Sequence, residues 1–261
     1  MILLLHGNAT SAWAWQDIMT DLASTHRVLA LALPGYGDTS PLDDIHPSVL
    51  TDFVAAFLDK IDVQEVIVVG HSLGGLLAAH FTLTYPGRVR RLVMADSAGL
   101  GRAVNPGVIG AALTPKPVAE LVISALLLPG GGLISVLASA VQLRQPWRVP
   151  LHFWRHHLRL SRSRTFLETS YQAVRLGTGP AGQRARYSCR GRLCDIRVPT
   201  LIIWGLSDEI YPVWQAVAAL RRLPRGQLTI IPGAGHVSIA DCHEEFMDAL
   251  GPFVRDELKS L

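Results

Sequence analysis

The sequence predicts an α/β domain in which a mostly parallel sheet, flanked by helices, is interrupted by one long helical insertion. In residues 1–98, short runs of Val, Ile and Leu alternate with segments of helical period. That alternation is typical of parallel strands joined by helices. The rhythm stops near Gly99 and resumes at Thr200. We therefore expect residues 1–98 and 198–261 to form the sheet domain, and residues 99–197 to form a helical insertion.

The individual elements follow from local pattern. Short apolar or β-branched runs predict strands, and apolar residues three or four positions apart predict helices. The predicted strands are residues 2–5, 27–33, 65–69, 91–95, 200–204 and 227–231. The predicted helices of the sheet domain are residues 17–24, 48–61, 73–85, 213–223 and 244–258.

The composition excludes a disordered chain and gives no support for nucleic-acid binding. The 261 residues are 49% hydrophobic and 17% charged, which is ample apolar material for a core. The formal net charge of +3 is too small to indicate a nucleic-acid partner. Three cysteines, Cys189, Cys194 and Cys242, are an odd set that fits a reducing compartment better than a disulfide framework. We therefore expect a cytoplasmic protein.

Residues 121–143 form an uncharged stretch of membrane-spanning length. A Pro-Gly-Gly-Gly sequence at residues 129–132 interrupts it, whereas a spanning helix needs about 20 continuous apolar residues. The sequence therefore predicts two buried or pocket-lining helices, residues 121–128 and 133–143, joined by a glycine hinge. The apolar run at residues 1–5 is too short for the core of a signal peptide.

The insertion is strongly basic. From residue 144 to residue 197 only Glu168 and Asp195 oppose its arginines. A solvated basic face is the ordinary interpretation, and a weak attraction to an anionic substrate or membrane surface is the functional alternative. The arginines are Arg144, Arg148, Arg155, Arg159, Arg162, Arg164, Arg175, Arg184, Arg186, Arg190, Arg192 and Arg197.

The segment Gly70-His71-Ser72-Leu73-Gly74 lies directly between a predicted strand and a predicted helix. A serine at such a turn takes a strained backbone conformation that small neighbours tolerate, and its hydroxyl projects above the sheet edge. The N–H of Leu73 then lies at a helix N-terminus, where an oxyanion would form. The pattern predicts Ser72 as a nucleophile.

A serine nucleophile needs a general base and an acid that orients it. Asp208 and His236 each follow a predicted strand, and the chain order serine, acid, histidine suits this arrangement. Asp96 also follows a strand and is the rival acid. Structural alternatives are a helix cap for Asp208 and a packed loop histidine for His236.

The loop after the first strand reads Leu5-His6-Gly7-Asn8. It can place the N–H of Asn8 opposite that of Leu73, which would complete an oxyanion hole. For His6 a structural hydrogen-bonding role is favoured over a catalytic one.

Neither a metal nor a cofactor is predicted. His152, His156 and His157 have helical spacing but no carboxylate or cysteine close in sequence to complete a ligand set. Cys189 and Cys194 are an equally poor zinc pair.

Taken together, these motifs resemble the α/β-hydrolase superfamily along almost the whole chain. The resemblance implies the α/β-hydrolase fold with a helical cap. It also implies Ser72 as nucleophile, Asp208 as acid, His236 as base, and the amides of Asn8 and Leu73 as the oxyanion hole. The matching segments are His6-Gly7 with Trp15, residues 33–40, the turn around Ser72, Trp204-Gly205 with Asp208, and Gly235-His236.

Three departures refine the resemblance. Residues 6–11 are similar to haloalkane dehalogenases, which use an aspartate nucleophile where this chain has Ser72. Carbon–carbon hydrolases of ring-cleavage pathways usually carry tryptophan after the catalytic histidine, where this chain has Val237. Family members also usually have two strands before the His-Gly loop, so we expect a sheet that is short on that side.

The sequence therefore predicts a cofactor-independent serine hydrolase that cleaves an ester of a small apolar or amphiphilic molecule. Carbon–carbon bond hydrolysis of the meta-cleavage-product type is the alternative within the same fold. A non-catalytic ligand-binding relative is the alternative from another class.

Overall fold

The predicted α/β class is confirmed by the computed structural model, which describes residues 1–256. Six parallel strands form one sheet in the order β2-β1-β3-β4-β7-β8. β2 therefore lies at one edge and β8 at the other. The strands are β1 (Ile2–Leu5), β2 (Val28–Leu31), β3 (Val66–His71), β4 (Val89–Ala95), β7 (Thr200–Gly205) and β8 (Gly226–Ile231).

Helices cover both faces of this sheet because successive strand residues point to opposite sides. Leu3 and Leu5 of β1 pack into one apolar core, and Ile2 and Leu4 pack into the other. The first core also receives helices α2 (Pro47–Lys60), α3 (Leu73–Thr84) and α9 (Trp214–Leu220). The second receives α1 (Gln16–Leu22), α10 (Ser238–Asp241) and α11 (His243–Arg255). The predicted end of the last helix at Leu258 lies outside the described residues.

The segment between β4 and β7 is mainly helical. Its helices are α4 (Pro106–Leu113), α5 (Lys116–Leu126), α6 (Gly131–Ala140), α7 (Leu151–Leu160) and α8 (Arg164–Gly177). A small antiparallel pair follows, β5 (Thr178–Gly179) with β6 (Gly182–Gln183). α5 and α6 are separated at the predicted glycine hinge, where Gly130 has a φ of 89°.

The prediction that α5 and α6 would be buried or pocket-lining holds for one side of each helix, where Ile123 of α5 and Ser139 of α6 line a cavity, but the other side faces solvent. Ile123 of α5 is buried, whereas Leu121 of α5 and Leu137 of α6 are mostly exposed to solvent. An uncharged sequence does not show which helix face meets the protein. Among the described residues, the structure contains no helix of sufficient length and apolar character to cross a bilayer. The pair α4–α5 has the composition, but it is bent by 107°.

α3 begins in close contact with β1. A Cβ atom at Gly74 of α3 would overlap the carbonyl oxygen of Leu5 in β1, and a Cβ atom at Gly70 would overlap the carbonyl oxygen of Gly74. Only glycine allows the helix to begin this close to the sheet.

We predict that Gly74→Ala lowers the free energy of unfolding by about 3 kcal/mol, because main-chain atoms must move to admit the methyl group. Gly87→Ala is the matched control, since a Cβ atom there meets nothing within 4 Å, and it should change stability by less than about 0.5 kcal/mol. Urea unfolding of the two variants checks the difference. Equal stabilities would contradict the packing argument.

Candidate active site

Ser72 occupies a strained turn between β3 and α3. Its φ of 53° and ψ of −113° fall in a region that side chains rarely adopt. The turn is held because the Ser72 N–H donates to the carbonyl oxygen of Ala95, 2.9 Å away. The side chain therefore projects from the carboxyl edge of the sheet.

The structure brings Ser72, His236 and Asp208 into one hydrogen-bonded chain. Nε2 of His236 lies 3.0 Å from Oγ of Ser72, and Nδ1 of His236 lies 3.0 Å from Oδ2 of Asp208. All three residues are buried. The distances suit proton transfer from the serine hydroxyl to the imidazole, with the carboxylate holding the tautomer that has its proton on Nδ1.

Main-chain groups fix the carboxylate of Asp208. Its Oδ1 atom accepts hydrogen bonds from the N–H groups of Ile210 at 2.8 Å and Tyr211 at 2.9 Å. Oδ2 therefore stays free to face His236. The ring of Tyr211 also stands edge-on to the His236 imidazole, with centroids 5.3 Å apart.

Asp96, the rival acid, has other partners. Its Oδ1 atom accepts from the Gly205 N–H at 2.8 Å, and its Oδ2 atom accepts from the Ser238 hydroxyl at 2.5 Å. The nearest histidine side chain paired with it is His71, whose Nε2 lies 4.0 Å from Oδ2. Asp96 thus joins the loop after β7 to the start of α10, and the geometry gives the orienting position to Asp208.

Burial and charge act in opposite directions on His236. Burial lowers the pKa of the imidazole, but the charge and hydrogen bond of Asp208, together with the charges of Asp96 and Asp241, leave the pKa above its ordinary value. Burial instead dominates at His71 and lowers its pKa to about 3. His71 is therefore neutral, and its Nε2–H donates to the main-chain oxygen of His236 at 2.8 Å.

The loop after β1 approaches Ser72 from the other side. A Cβ atom at Gly7 would lie 2.8 Å from Nδ1 of His71 and 3.1 Å from Cβ of Ser72. The next residue, Asn8, is held by its side chain, which accepts from the Tyr36 hydroxyl at 2.6 Å and donates to the main-chain oxygen of Ser170 at 3.2 Å.

Leu73 and His6 occupy different positions around this loop. α3 begins at Leu73, so the Leu73 N–H has no acceptor within the helix. Nε2 of His6 accepts from the Leu33 N–H at 3.0 Å, and Nδ1 of His6 donates to the Gly7 oxygen at 2.8 Å. Burial lowers the pKa of His6 to about 4, so a neutral His6 links two loops.

A cavity of about 510 Å³ opens above Ser72 and His236. Cap helices supply most of its walls, and among the described residues no Asp, Glu, Lys or Arg side chain lines it. Such a cavity suits a neutral, largely apolar group. The apolar lining includes Val108, Val122, Ile123, Leu126, Leu143, Phe153, Trp154, Leu167, Val174 and Val237.

A smaller cavity of about 70 Å³ reaches Ser72 from another direction. It is lined in part by Gln183 and Arg184, and the Arg184 Nε–H donates to the main-chain oxygen of Thr178 at 3.1 Å. Local sequence pattern did not single out Arg184 from the other cap arginines. Its position depends on the β5–β6 pair, which carries almost no sequence signal.

Two of the three histidines between β4 and β7 contact neighbouring side chains. His152 lies 3.2 Å from the carboxylate of Asp17, and His156 lies 3.1 Å from the hydroxyl of Ser11. Within residues 1–256, no group of three or more His, Cys, Asp or Glu side chains is arranged to hold a metal ion.

We predict that the pKa of His236 lies above the ordinary value for histidine and that Asp208→Asn lowers its titration midpoint. The substitution removes the principal group that raises the pKa, whereas burial, which lowers it, remains. NMR titration of the imidazole measures both midpoints. Asp43→Asn, an exposed loop substitution, should leave the midpoint in place. A midpoint that Asp208→Asn does not move would remove Asp208 as the partner of His236.

Comparison with known proteins gives similarity across the chain. An uncharacterized protein of Mycobacterium tuberculosis is 28% identical, over 97% of this chain and 74% of its own length. The 2-hydroxymuconate semialdehyde hydrolase of a Pseudomonas strain is 24% identical, over 98% of this chain and 87% of its own length. A bacterial membrane phospholipase A of known structure superposes with a TM-score of 0.78 at 23% identity, covering 98% of this chain and 78% of that one.

The family comparison agrees with the architecture. A family model described as the α/β hydrolase fold matches residues 1–241. The chain therefore belongs to the α/β-hydrolase fold family.

Proposed function

We propose that this hydrolase is a serine esterase that cleaves an ester of a rather apolar small molecule through an acyl-enzyme. The observation that carries the proposal is the hydrogen-bonded chain from Ser72 through His236 to Asp208 at the floor of an uncharged cavity. A ligand-binding protein has no need of a base held at hydrogen-bond distance from a strained serine.

In the first half of the reaction, Oγ of Ser72 attacks the ester carbonyl carbon while Nε2 of His236 takes the hydroxyl proton. The carbonyl π electrons move to oxygen, and the resulting oxyanion is stabilised by the N–H groups of Asn8 and Leu73. The electron pair then returns, the carbon–oxygen bond to the alcohol breaks, and His236 protonates the departing alkoxide. An acyl group on Ser72 remains.

In the second half, water replaces the alcohol. Nε2 of His236 removes a proton from water as the oxygen attacks the acyl carbon, and the same proton returns to Oγ of Ser72 as the acid leaves. Both steps require a neutral imidazole at the start. The rate should therefore rise with pH through the raised midpoint of His236.

The cavities indicate how a substrate would divide around Ser72. The large cavity has apolar walls and no charged lining residue, which favours an acyl chain or apolar alcohol there. The small cavity has Gln183 and Arg184 in its wall and suits the more polar part of the substrate. Together they favour an amphiphilic ester.

Hydrolysis of a carbon–carbon bond is the second candidate. The relative named 2-hydroxymuconate semialdehyde hydrolase supports it, and so does the Arg184 guanidinium, a cation that could bind a substrate carboxylate beside Ser72. Val237 after His236 favours the ester reaction. Parallel rates on p-nitrophenyl esters and on a 2-hydroxy-6-oxo-dienoate discriminate between the two. Turnover of the dienoate alone would replace the esterase proposal.

We expect Ser72→Ala to lower kcat on a p-nitrophenyl ester by roughly 10⁴-fold or more, because the nucleophile is lost while the fold is retained. The variant should also lose covalent labelling by a fluorophosphonate. Ser207→Ala, in the loop that carries Asp208, is the control and should keep both. Labelling that survives in Ser72→Ala would assign the nucleophile elsewhere. An unlabelled wild-type protein would favour the non-catalytic alternative.

Lengthening the acyl chain should raise kcat/KM by up to about fourfold per methylene, which corresponds to roughly 0.8 kcal/mol of buried surface. The increase should end when the large cavity is full. Rates on esters of two to twelve carbons give the profile. Ala138→Trp, which narrows that cavity, should move the optimum to shorter chains. A flat or falling wild-type profile would be inconsistent with an apolar acyl site.

A further inference from the structure

One face of the cap exposes apolar side chains from two neighbouring helices. We call it the outer cap face. Its members lie three or four positions apart along α5 and α6, so they share one side of each helix. Residues on the opposite side, such as Ile123, are buried. The outer cap face consists of Val118, Leu121, Val122, Leu133, Ile134, Leu137 and Val141.

These apolar side chains are more exposed than is usual on the surface of a monomeric soluble protein. Leu121 is 75% exposed, Val141 is 72% exposed and Leu137 is 69% exposed. Single exposed apolar residues are ordinary, but an exposed apolar patch on adjacent elements marks an interaction surface. α6 contacts α5 on one side and α7 on the other, so the surface continues toward α7.

Arginines border this face. Arg155, Arg159 and Arg162 lie along α7 and its C-terminal turn, and all three are exposed. Within the described chain none of them has an acidic partner. Arg162 lines a groove beside Leu128 and Leu133 at the α5–α6 turn. Arg162 thus places a cationic group beside apolar side chains of the α5–α6 turn.

A fourth arginine reaches α5 itself. The Arg164 guanidinium donates to the hydroxyl of Ser124 at 3.1 Å, and it pairs with Glu168 at 3.3 Å. Arginine beside exposed apolar side chains is a composition favoured at membrane interfaces, where the apolar stem is buried and the charged head stays in water.

The outer cap face adjoins the large cavity. Val122 is exposed on the outside and lines the cavity on the inside, and Ala138 of α6 does the same. The outer cap face and the wall of the large cavity are therefore two sides of the same pair of helices.

We propose that the outer cap face docks on the surface of an anionic phospholipid bilayer, with its apolar side chains in the acyl boundary and its arginines among the headgroups. Negative lipid charge complements the unpaired arginines. A second copy of this chain, docked face to face, would bring like-charged arginines together, which is unfavourable. This docking goes beyond the proposed esterase activity and does not depend on it.

The test is co-sedimentation of the full chain with vesicles. One set contains phosphatidylcholine alone, and the other contains phosphatidylcholine with phosphatidylglycerol. We expect at least about tenfold tighter binding to the anionic set, and we expect added salt to weaken it because salt screens the arginines. Binding should be equal in wild-type protein and Ser72→Ala, so a failure of the esterase proposal leaves this result intact.

Two multiple variants separate the apolar part from the charged part. The apolar variant should bind both vesicle sets at least about tenfold more weakly, and the arginine variant should lose the preference for anionic vesicles. The apolar variant is Leu121→Gln with Leu137→Gln and Val141→Gln. The arginine variant is Arg155→Gln with Arg159→Gln and Arg162→Gln.

Matched controls lie in the sheet domain and change the same kinds of exposed side chain. They should bind vesicles like the wild type. The apolar control is Trp214→Gln with Ile230→Gln, and the arginine control is Arg221→Gln with Arg222→Gln and Arg225→Gln.

Three results would overturn the proposal. The first is that the wild-type protein binds neither vesicle set. The second is that the cap variants and their controls lose equal amounts of binding. The third is that the wild-type protein does not bind vesicles but forms a dimer, which the apolar substitutions dissociate. The last would make the outer cap face an interface between two copies of the chain.

Discussion

The structure depends on how closely α3 begins against the sheet. With no Cβ atom at Gly74, the helix starts against the carbonyl of Leu5, and Gly70 lets the preceding strand pass beneath the same turn. The approach forces Ser72 into a positive φ and brings the loop at Gly7 against it. A small displacement of α3 would therefore separate the hydroxyl from both the imidazole and the neighbouring main-chain amides at once.

Two buried carboxylates hold His236 and the loops around it in position. Asp208 uses one oxygen to fix its own loop and the other to face His236. Asp96 connects the loop at Gly205 with Ser238, just after His236. Burial raises the pKa of Asp96, and the charge of Asp208 raises it further. Ionising both carboxyl groups at once is therefore unfavourable. Asp96 thereby links the loops that carry Asp208 and His236.

Most of the fold could be predicted because its signals are local. Buried parallel strands are continuous apolar runs, and the turn at Ser72 requires glycines at fixed offsets. The pairing of Ser72, Asp208 and His236 followed from chain order and from strand ends that share one sheet edge. The catalytic roles of these residues, and of Asn8 and Leu73, stay predictions.

What could not be predicted depends on contacts distant in sequence. The hydrogen bond of Asp96 with Ser238 spans 142 positions, and the residues next to Asp96 in sequence do not predict it. The uncharged α5 and α6 were expected to be buried or pocket-lining, yet their outward sides meet solvent, because composition alone does not orient a helix. The sequence did not distinguish Arg184 from the other eleven arginines of the insertion. Its place in the wall of the small cavity that reaches Ser72 depends on the β5–β6 pair.

The division of the large cavity between two parts of the chain has an evolutionary consequence. Ser72, His236 and Asp208 lie on the sheet domain, whereas much of the cavity wall comes from helices inserted between β4 and β7. Mutations in those helices can change which molecules fit the cavity without disturbing the hydrogen bonds among Ser72, His236 and Asp208. The range of molecules that fit the cavity can therefore change during evolution while the geometry around Ser72 is retained.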